Sequence, residues 1–125
     1  MFKNFFISFL FILFANSANA KQIKIISDKL EIIREEHISI FSGDVYAVED
    51  NLEIWSEELI MTSSKDENEI KEINAHGNVK IIREELSVIG DKARYDPIQN
   101  KLFVFGEVEV LQNQSTILCD KIIVD

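Results

Sequence analysis

Three glycine-centred segments follow one another along this chain, and each opens the same kind of strand-like sequence. They read Gly43-Asp44-Val45, Gly77-Asn78-Val79 and Gly106-Glu107-Val108, and the glycines are 34 and 29 residues apart. The positions twelve and fourteen residues after each glycine are occupied by Trp55, Ile89 and Leu118, and by Glu57, Asp91 and Asp120. Repeated units of this kind bury their apolar faces only against their neighbours. The repeat therefore predicts one stacked all-β body rather than a fold built around a catalytic pocket.

Apolar and polar residues alternate with period two through most of the chain, as in Leu52-Glu53-Ile54, and β-branched residues are abundant. This pattern is typical of half-buried strands, and no segment carries a sustained helical stripe. The sequence predicts strands over residues 23–33, 37–49, 52–62, 69–83, 86–95, 101–112 and 115–124.

The alternation changes phase within each repeat. Apolar residues stand nine and eleven positions after the first glycine, at Leu52 and Ile54, but sixteen and eighteen positions after it, at Leu59 and Met61. One extra residue in a strand, a β-bulge, produces such a change. The sequence predicts bulges near Glu57, Asp91 and Asp120, and a kink at each glycine.

The first twenty residues are predicted to be a secretory signal peptide rather than part of the domain. Lys3 supplies the positive start, residues 5–15 are predominantly apolar, and Ala18-Asn19-Ala20 is a small-x-small cleavage site. This apolar run is shorter than the roughly 20 residues that a membrane-spanning helix requires. Retention of the segment as an uncleaved anchor is the alternative.

Residues 21–125 are then one domain. Loss of Lys3 with the signal segment takes the net charge from −9 to −10, which argues against nucleic acid and against adsorption to an anionic membrane surface. Cys119 is the only cysteine, so no internal disulfide can form. It aligns with the small residues Ser56 and Gly90, which predicts a packed small side chain rather than a reactive thiol.

No catalytic or metal-binding constellation is apparent, and no cofactor is predicted. His37 and His76 are isolated from each other and from any metal-ligand spacing. Ser63-Ser64 has no nearby histidine and no nucleophile-elbow glycines. Adjacent carboxylates such as Glu57-Glu58 point to opposite faces of a strand, so they do not form an acid–base pair. The sequence predicts a protein that is not an enzyme.

Several short motifs resemble the LptA/OstA family of periplasmic bridge proteins of lipopolysaccharide transport in Gram-negative bacteria. They are residues 25–30, the Gly-Asp/Asn-Val steps at Gly43 and Gly77, and Gly90-Asp91-Lys92-Ala93-Arg94-Tyr95-Asp96 followed by Lys101-Leu102. Their order and spacing cover essentially all of residues 21–125. Many family members continue through further strands and a tail, whereas this sequence ends at Asp125.

The resemblance implies an open, twisted β-jellyroll whose V-shaped groove shields the acyl chains of lipid A. It also implies pairing of edge strands with Lpt proteins of the same fold in the inner and outer membranes, and head-to-tail self-association. Exposed edges are otherwise an aggregation hazard, and strand addition uses them. The predicted groove residues are Val45, Ala47, Leu52, Ile54, Val79, Ile81, Leu86, Val88, Val108, Val110 and Ile117. The predicted edge-strand interface residues are Ile23, Ile25, Ile32, Ile117, Ile122 and Val124.

The sequence therefore predicts a periplasmic protein that carries lipopolysaccharide as part of a bridge between the two membranes. Three other functions stay open. One is a membrane-tethered, LptC-like member of the same pathway, and another is a non-lipid structural β-filament joined through edge strands. The third is a small exported hydrolase, which the missing nucleophile–base constellation disfavours.

Overall fold

The computed structural model describes residues 22–66 and 68–125. They form eight antiparallel strands and a single turn of 3-10 helix at Arg34–Glu36. The predicted signal segment, residues 1–20, lies outside the described residues. The strands are β1 (Lys24–Ile26), β2 (Lys29–Ile33), β3 (Ile38–Glu49), β4 (Leu52–Ser63), β5 (Ile70–Arg83), β6 (Leu86–Asp96), β7 (Lys101–Gln112) and β8 (Ser115–Val124).

All eight strands belong to one sheet, in the order β1-β3-β4-β5-β6-β7-β8, with β2 also paired to β3. Strands β3 to β8 are joined in sequence order by short turns, so each neighbouring pair is a hairpin. The first and last strands do not pair with each other, and the sheet is open. The predicted all-β fold, an open twisted β-jellyroll, is confirmed.

A line of β-bulges crosses the middle of the sheet, with one bulge in each of the strands β3, β5 and β7. The pairing register shifts at Gly43-Asp44 in β3, at Gly77-Asn78 in β5 and at Gly106-Glu107 in β7. At each shift, the glycine strand carries one residue more than its neighbour. The buried positions keep the same alternation along the glycine strand, as at Phe41 and Val45 in β3, whereas the alternation changes phase along the neighbour, as between Ser56 and Leu59 in β4. The predicted bulge positions Glu57, Asp91 and Asp120 lie in the register gaps directly opposite.

Glycine is required at these bulges for two separate reasons. The backbone φ angles of Gly43, Gly77 and Gly106 are +89°, +91° and +88°, a region that side chains with a Cβ rarely adopt. An acidic side chain also covers each glycine: a methyl group added at Gly77 would lie 2.8 Å from Glu57 Cβ. The covered glycines are thus sites of close strand-to-strand approach.

The bulge line divides the sheet into two arms whose inner side chains form one hydrophobic core. Met61 and Val104 on one arm and Val79 and Val88 on the other are all at most 1 % exposed, and all belong to the same buried cluster. Burial of apolar side chains from both arms is the main favourable free-energy term of such a sheet.

The N-terminal strand differs from the single strand predicted for residues 23–33. It is broken into β1 and β2 at Ser27-Asp28, where the buried Ser27 hydroxyl donates to the Lys29 carbonyl (3.1 Å) and the Asp28 amide donates to the Gly43 carbonyl (3.0 Å). Ser27 and Asp28 lie in the same row as the bulges of the other strands. The break is therefore a further member of the bulge line rather than a separate turn.

Replacement of Gly77 by alanine is expected to destabilise the fold by about 1–3 kcal/mol, the usual cost of a strained backbone conformation. The added methyl group both disfavours the positive φ and collides with Glu57. Urea unfolding followed by circular dichroism measures the loss. Lys71→Ala on the exposed face of the same strand is the control, with an expected change within about 0.5 kcal/mol. Equal losses in the two variants would contradict the role given to Gly77.

Candidate functional site

The predicted groove residues lie together on the inner face of one arm. Leu86 is half-buried against the core, and Ile117 is 50 % exposed. The remaining nine are members of the buried core: Val45, Ala47, Leu52, Ile54, Val79, Ile81, Val88, Val108 and Val110. The structure therefore brings the predicted set together, as packed side chains along most of the arm and as accessible side chains only toward β8.

The inner face of the second arm is equally apolar, and the predicted set omits it. On β4 and β6 its side chains point inward because the alternation changes phase at the bulge line, and that phase change is itself visible in the sequence. An apolar groove between the arms would be lined by the inner faces of both arms. The second wall consists of Leu30, Phe41, Leu59, Met61, Ile70, Ile73, Ala75, Ala93, Tyr95, Leu102 and Val104.

The inner face becomes accessible at the β8 edge. Ile117, Ile122 and Val124 pair with Val110, Val104 and Leu102 respectively, so they point to the same face as these buried residues. Ile122 and Val124 are nevertheless only half-buried. One further strand beyond β8, or a ligand lying against it, would cover them.

The predicted edge-strand residues lie at the two edges of the sheet, and they differ in accessibility. Ile25 is fully buried, Ile23 is buried, and Ile32 is 53 % exposed on β2. Ile117, Ile122 and Val124 on β8 are the accessible members at the opposite edge. The inner face is therefore closed at the N-terminal edge and open at the β8 edge.

Cys119 lies on the inner face of β8, half-buried opposite Val108, and it is a free thiol. It occupies the same place in its bulge as the buried Ser27, Ser56 and Gly90. The prediction of a packed small side chain at this position agrees with this placement.

A polar cavity of about 370 Å³ lies where the β3–β4, β5–β6 and β6–β7 turns meet the C-terminus. Its lining includes Glu49, which is only 6 % exposed. The Tyr95 hydroxyl donates to Glu49 Oε1 (2.7 Å), and Arg83 donates to Asn100 Oδ1 (3.0 Å). Glu49 Oε2 accepts no hydrogen bond from the residues that the structure describes. Tyr95 is thus the donor that compensates burial of this carboxyl group.

Burial and the hydrogen bond to Glu49 raise the pKa of Tyr95 well above the usual value near 10. Burial disfavours the phenolate, and the neighbouring carboxyl group adds to the effect. The phenol therefore stays protonated in the folded chain at pH values at which it ionises in the unfolded chain.

Aromatic side chains on the outer face pair across strands rather than pack in the core. The Tyr46 and Trp55 ring centroids are 5.1 Å apart, and Lys80 Nζ lies 5.6 Å from the Trp55 ring centroid. Phe103 and Phe105 lie two residues apart on β7 with their rings stacked, and each is covered by a cation from a neighbouring strand, Arg94 over Phe103 and Lys121 over Phe105. These half-exposed contacts stabilise the sheet by cross-strand pairing.

Within residues 22–66 and 68–125, no group of three or more histidine, cysteine or acidic side chains is placed to hold a metal ion. His76 Nε2 lies 2.8 Å from Glu58 Oε1 in a partly exposed pair on neighbouring strands. The same residues include no helix that is long and apolar enough to cross a membrane.

Replacement of Tyr95 by phenylalanine is expected to cost about 1–3 kcal/mol at neutral pH, because it leaves the buried Glu49 carboxyl group without a donor. The raised pKa gives the loss a pH dependence. The difference in unfolding free energy between wild type and variant is largest below pH ~10. It decreases as the pH rises further, because the phenol ionises in the unfolded chain before it ionises in the folded chain. Urea unfolding between pH 7 and 11 measures both effects, and a pH-independent difference would contradict them.

Tyr46→Phe is the matched control for this comparison. The Tyr46 hydroxyl also donates to a glutamate, Glu53, at 2.6 Å, but on the half-exposed outer face. Water replaces the lost donor there, so the loss of stability at neutral pH is expected to be smaller than for Tyr95→Phe.

Comparison with known proteins agrees with this geometry. A search of curated proteins found no match. Among solved structures, the fold is similar to the crystal structure of LptH from Pseudomonas aeruginosa, the LptA-homologous periplasmic component of the conserved lipopolysaccharide transport device. The TM-score is 0.75 at 16 % sequence identity, over 82 % of this chain and 75 % of that one. Residues 24–125 match the family described as LptA/(LptD N-terminal domain) LPS transport protein. The chain therefore belongs to this family of lipopolysaccharide transport proteins.

Proposed function

We propose that this protein is a periplasmic lipopolysaccharide-binding component of a transport bridge, in which the two apolar arms shield the acyl chains of lipid A. Family membership over residues 24–125 supports a role in lipopolysaccharide transport. The observation that carries the finer proposal is the continuous apolar inner face, which is buried over most of the sheet and accessible at β8.

Binding in this proposal comes from burial of hydrocarbon rather than from charge. The chain has a net charge of −9, so it does not attract the lipid phosphates through its overall field. Each buried methylene contributes about 0.8 kcal/mol, and a few acyl chains therefore suffice for strong binding. The phosphates stay in solvent at the mouth.

The accessible β8 end of the inner face is the proposed entry point for the acyl chains. Ile117, Ile122 and Val124 provide an apolar surface there that continues into the core residues Val104 and Val110. An acyl chain that lies against these side chains removes them from water. Deeper insertion requires the two arms to separate, with hydrocarbon replacing contacts between buried side chains of opposite arms.

The edge strands are the proposed contacts with the other members of the bridge. Among residues 22–66 and 68–125, strands β1–β2 and β8 have a neighbour on one side only, and addition of a strand from another chain completes their hydrogen bonding. The partner is another Lpt protein of the same fold or a second copy joined head to tail. A retained N-terminal segment would instead give a tethered, LptC-like member. Mass spectrometry of the exported protein distinguishes cleavage after Ala20 from retention.

Site-specific photo-crosslinking tests lipid binding. A photoreactive residue is placed at Ile117, on the inner face of β8, and at Leu118 as the matched control, which points outward and is 75 % exposed. The purified protein is mixed with lipopolysaccharide and irradiated. We expect several-fold more lipid adduct at Ile117, because acyl chains bind along the inner face. Since Leu118 is the more exposed of the two, adsorption to the surface would favour the opposite result.

Equal labelling at Ile117 and Leu118, or no adduct at either position in a folded protein, would contradict the proposal. The absence of lipid would favour a β-filament joined through its edges. The same comparison at Ile54, which is 4 % exposed, and at the neighbouring outer residue Glu53 reports how far acyl chains penetrate between the arms.

A further inference from the structure

The acidic residues of the bulge line obey a directional rule. Asp28 covers Gly43, Glu57 covers Gly77 and Asp91 covers Gly106. In all three cases, the acid comes earlier in the chain, and its glycine lies on the long strand that follows. Methyl groups added at these glycines would lie 2.5 Å from a carboxylate oxygen of the covering residue. Only a glycine leaves space for the acid at that position.

The same three pairs share one pairing register. The residue two before each acid lies opposite the residue three after the glycine, as in Trp55↔Lys80. The residue after each acid lies opposite the residue before the glycine, as in Glu58↔His76. Both relations recur in the β1–β3, β2–β3 and β6–β7 pairings. Each acid of the bulge line therefore occurs together with a glycine on the strand that follows it and with one pairing register between the two strands.

Asp120 is the fourth acid of this series, and each of the three glycines with positive φ in the described residues is already covered by another acid. It lies in the register gap of β8 opposite Gly106-Glu107, but Gly106 is already covered by Asp91. Strand β8 pairs with β7 alone in the part of the chain that the structure describes. Asp120 is exposed, and the inner residues Ile122 and Val124 beside it are only half-buried.

We infer that the β8 edge accepts, from a partner protein, an antiparallel strand that contains a glycine followed by Asp, Asn or Glu, and that Asp120 selects it by covering that glycine. The three internal acid–glycine pairs have Asp44, Asn78 and Glu107 after the glycine, all with positive φ. The inference deepens the proposed function, since it names the chemistry of the partner strand at one edge of the bridge subunit.

A second copy of this chain does not offer such a strand at its free N-terminal edge. That edge carries Ser27-Asp28 at the bulge, so alignment of the bulges would place Asp28 near Asp120. Two carboxylates at one position repel each other, whereas a glycine leaves the space that Asp120 fills. The geometry therefore favours a partner whose free edge is a glycine strand over direct pairing of two copies in this register.

The register provides a direct test by disulfide exchange. Leu118 corresponds to Trp55, so it lies opposite the position three residues after the partner glycine. The protein carries Leu118→Cys and Cys119→Ser. The probe is a synthetic peptide with the sequence of β5, Ile70–Arg83, in which Lys80 is replaced by cysteine. The matched control peptide also carries Gly77→Ala. Cross-linked fractions in glutathione buffers give the effective concentration of each peptide at the edge.

We expect an effective concentration at least tenfold higher for the glycine peptide than for the alanine peptide. Asp120→Gly in the protein is expected to narrow this difference, because the covering acid is gone. Equal cross-linking of the two peptides, or a difference that Asp120→Gly leaves unchanged, would overturn the inference. The inference would also be overturned if a second copy of the protein carrying Ile26→Cys cross-linked as efficiently as the glycine peptide. Ile26 is the residue of the β1 edge that corresponds to Leu118.

A second measurement avoids the engineered cysteines. Peptide without the cysteine replacement is titrated into the wild-type protein, and the backbone amide resonances are followed by NMR. Selective shifts of β8 amides with the glycine peptide and not with the alanine peptide support the inference, and their absence contradicts it. No lipid is present in either experiment. A failure here is thus separable from a failure of lipid binding, which photo-crosslinking reports.

Discussion

The fold depends on one extra residue, a β-bulge, in each of the strands β3, β5 and β7. An extra residue at Gly43, Gly77 and Gly106 shifts the pairing register, and the alternation of inward-facing side chains reverses in the neighbouring strands β4, β6 and β8. Without that reversal, apolar residues of one arm would face solvent while those of the other faced the core. The bulge line is therefore what allows long strands to contribute apolar side chains to one core from both of their halves.

The two edges of the sheet differ because the acid at one edge covers a glycine and the corresponding acid at the other edge does not. At the N-terminal edge, Asp28 already covers Gly43, and the inner residues Ile23 and Ile25 are buried. At the opposite edge, Asp120 covers no glycine of the described residues, and the inner face of β8 is partly exposed. The two edges are therefore not equivalent, and this asymmetry gives the molecule a direction.

Polar groups at the turn end of the sheet are organised separately from the apolar face. Glu49 is buried at the end of β3, and Tyr95, 46 residues later in sequence, supplies its hydrogen bond. Such long-range contacts connect the β3–β4 turn to β6 in a sheet whose pairing from β3 to β8 is otherwise between sequence neighbours. Because a buried carboxyl group without a donor is costly, this pair restrains the end of the jellyroll.

The sequence by itself determined the all-β class, the strands from β3 to β8 and the row in which the alternation changes phase, because each is a local property. It assigned the extra residue to the strands of Glu57, Asp91 and Asp120, whereas the pairing places it at the glycines of the opposite strands. Alternation reports which face of a strand is buried, and its change of phase, as between Ile54 and Leu59, reports where that face changes. The family motifs were likewise visible in residues such as Gly90-Asp91-Lys92-Ala93, and they anticipated both the fold and the transport family.

Only the tertiary structure decided which apolar residues are enclosed and which are accessible. Ile54 and Ile117 fit the same alternating pattern, yet one is 4 % exposed and the other 50 %, because exposure depends on whether a further strand lies alongside. The pattern likewise could not place Tyr95 against Glu49, or each bulge acid over the glycine of the following strand. These contacts join residues distant in sequence, and their distances follow from sheet pairing and from the bend at the bulge line, which no local pattern encodes.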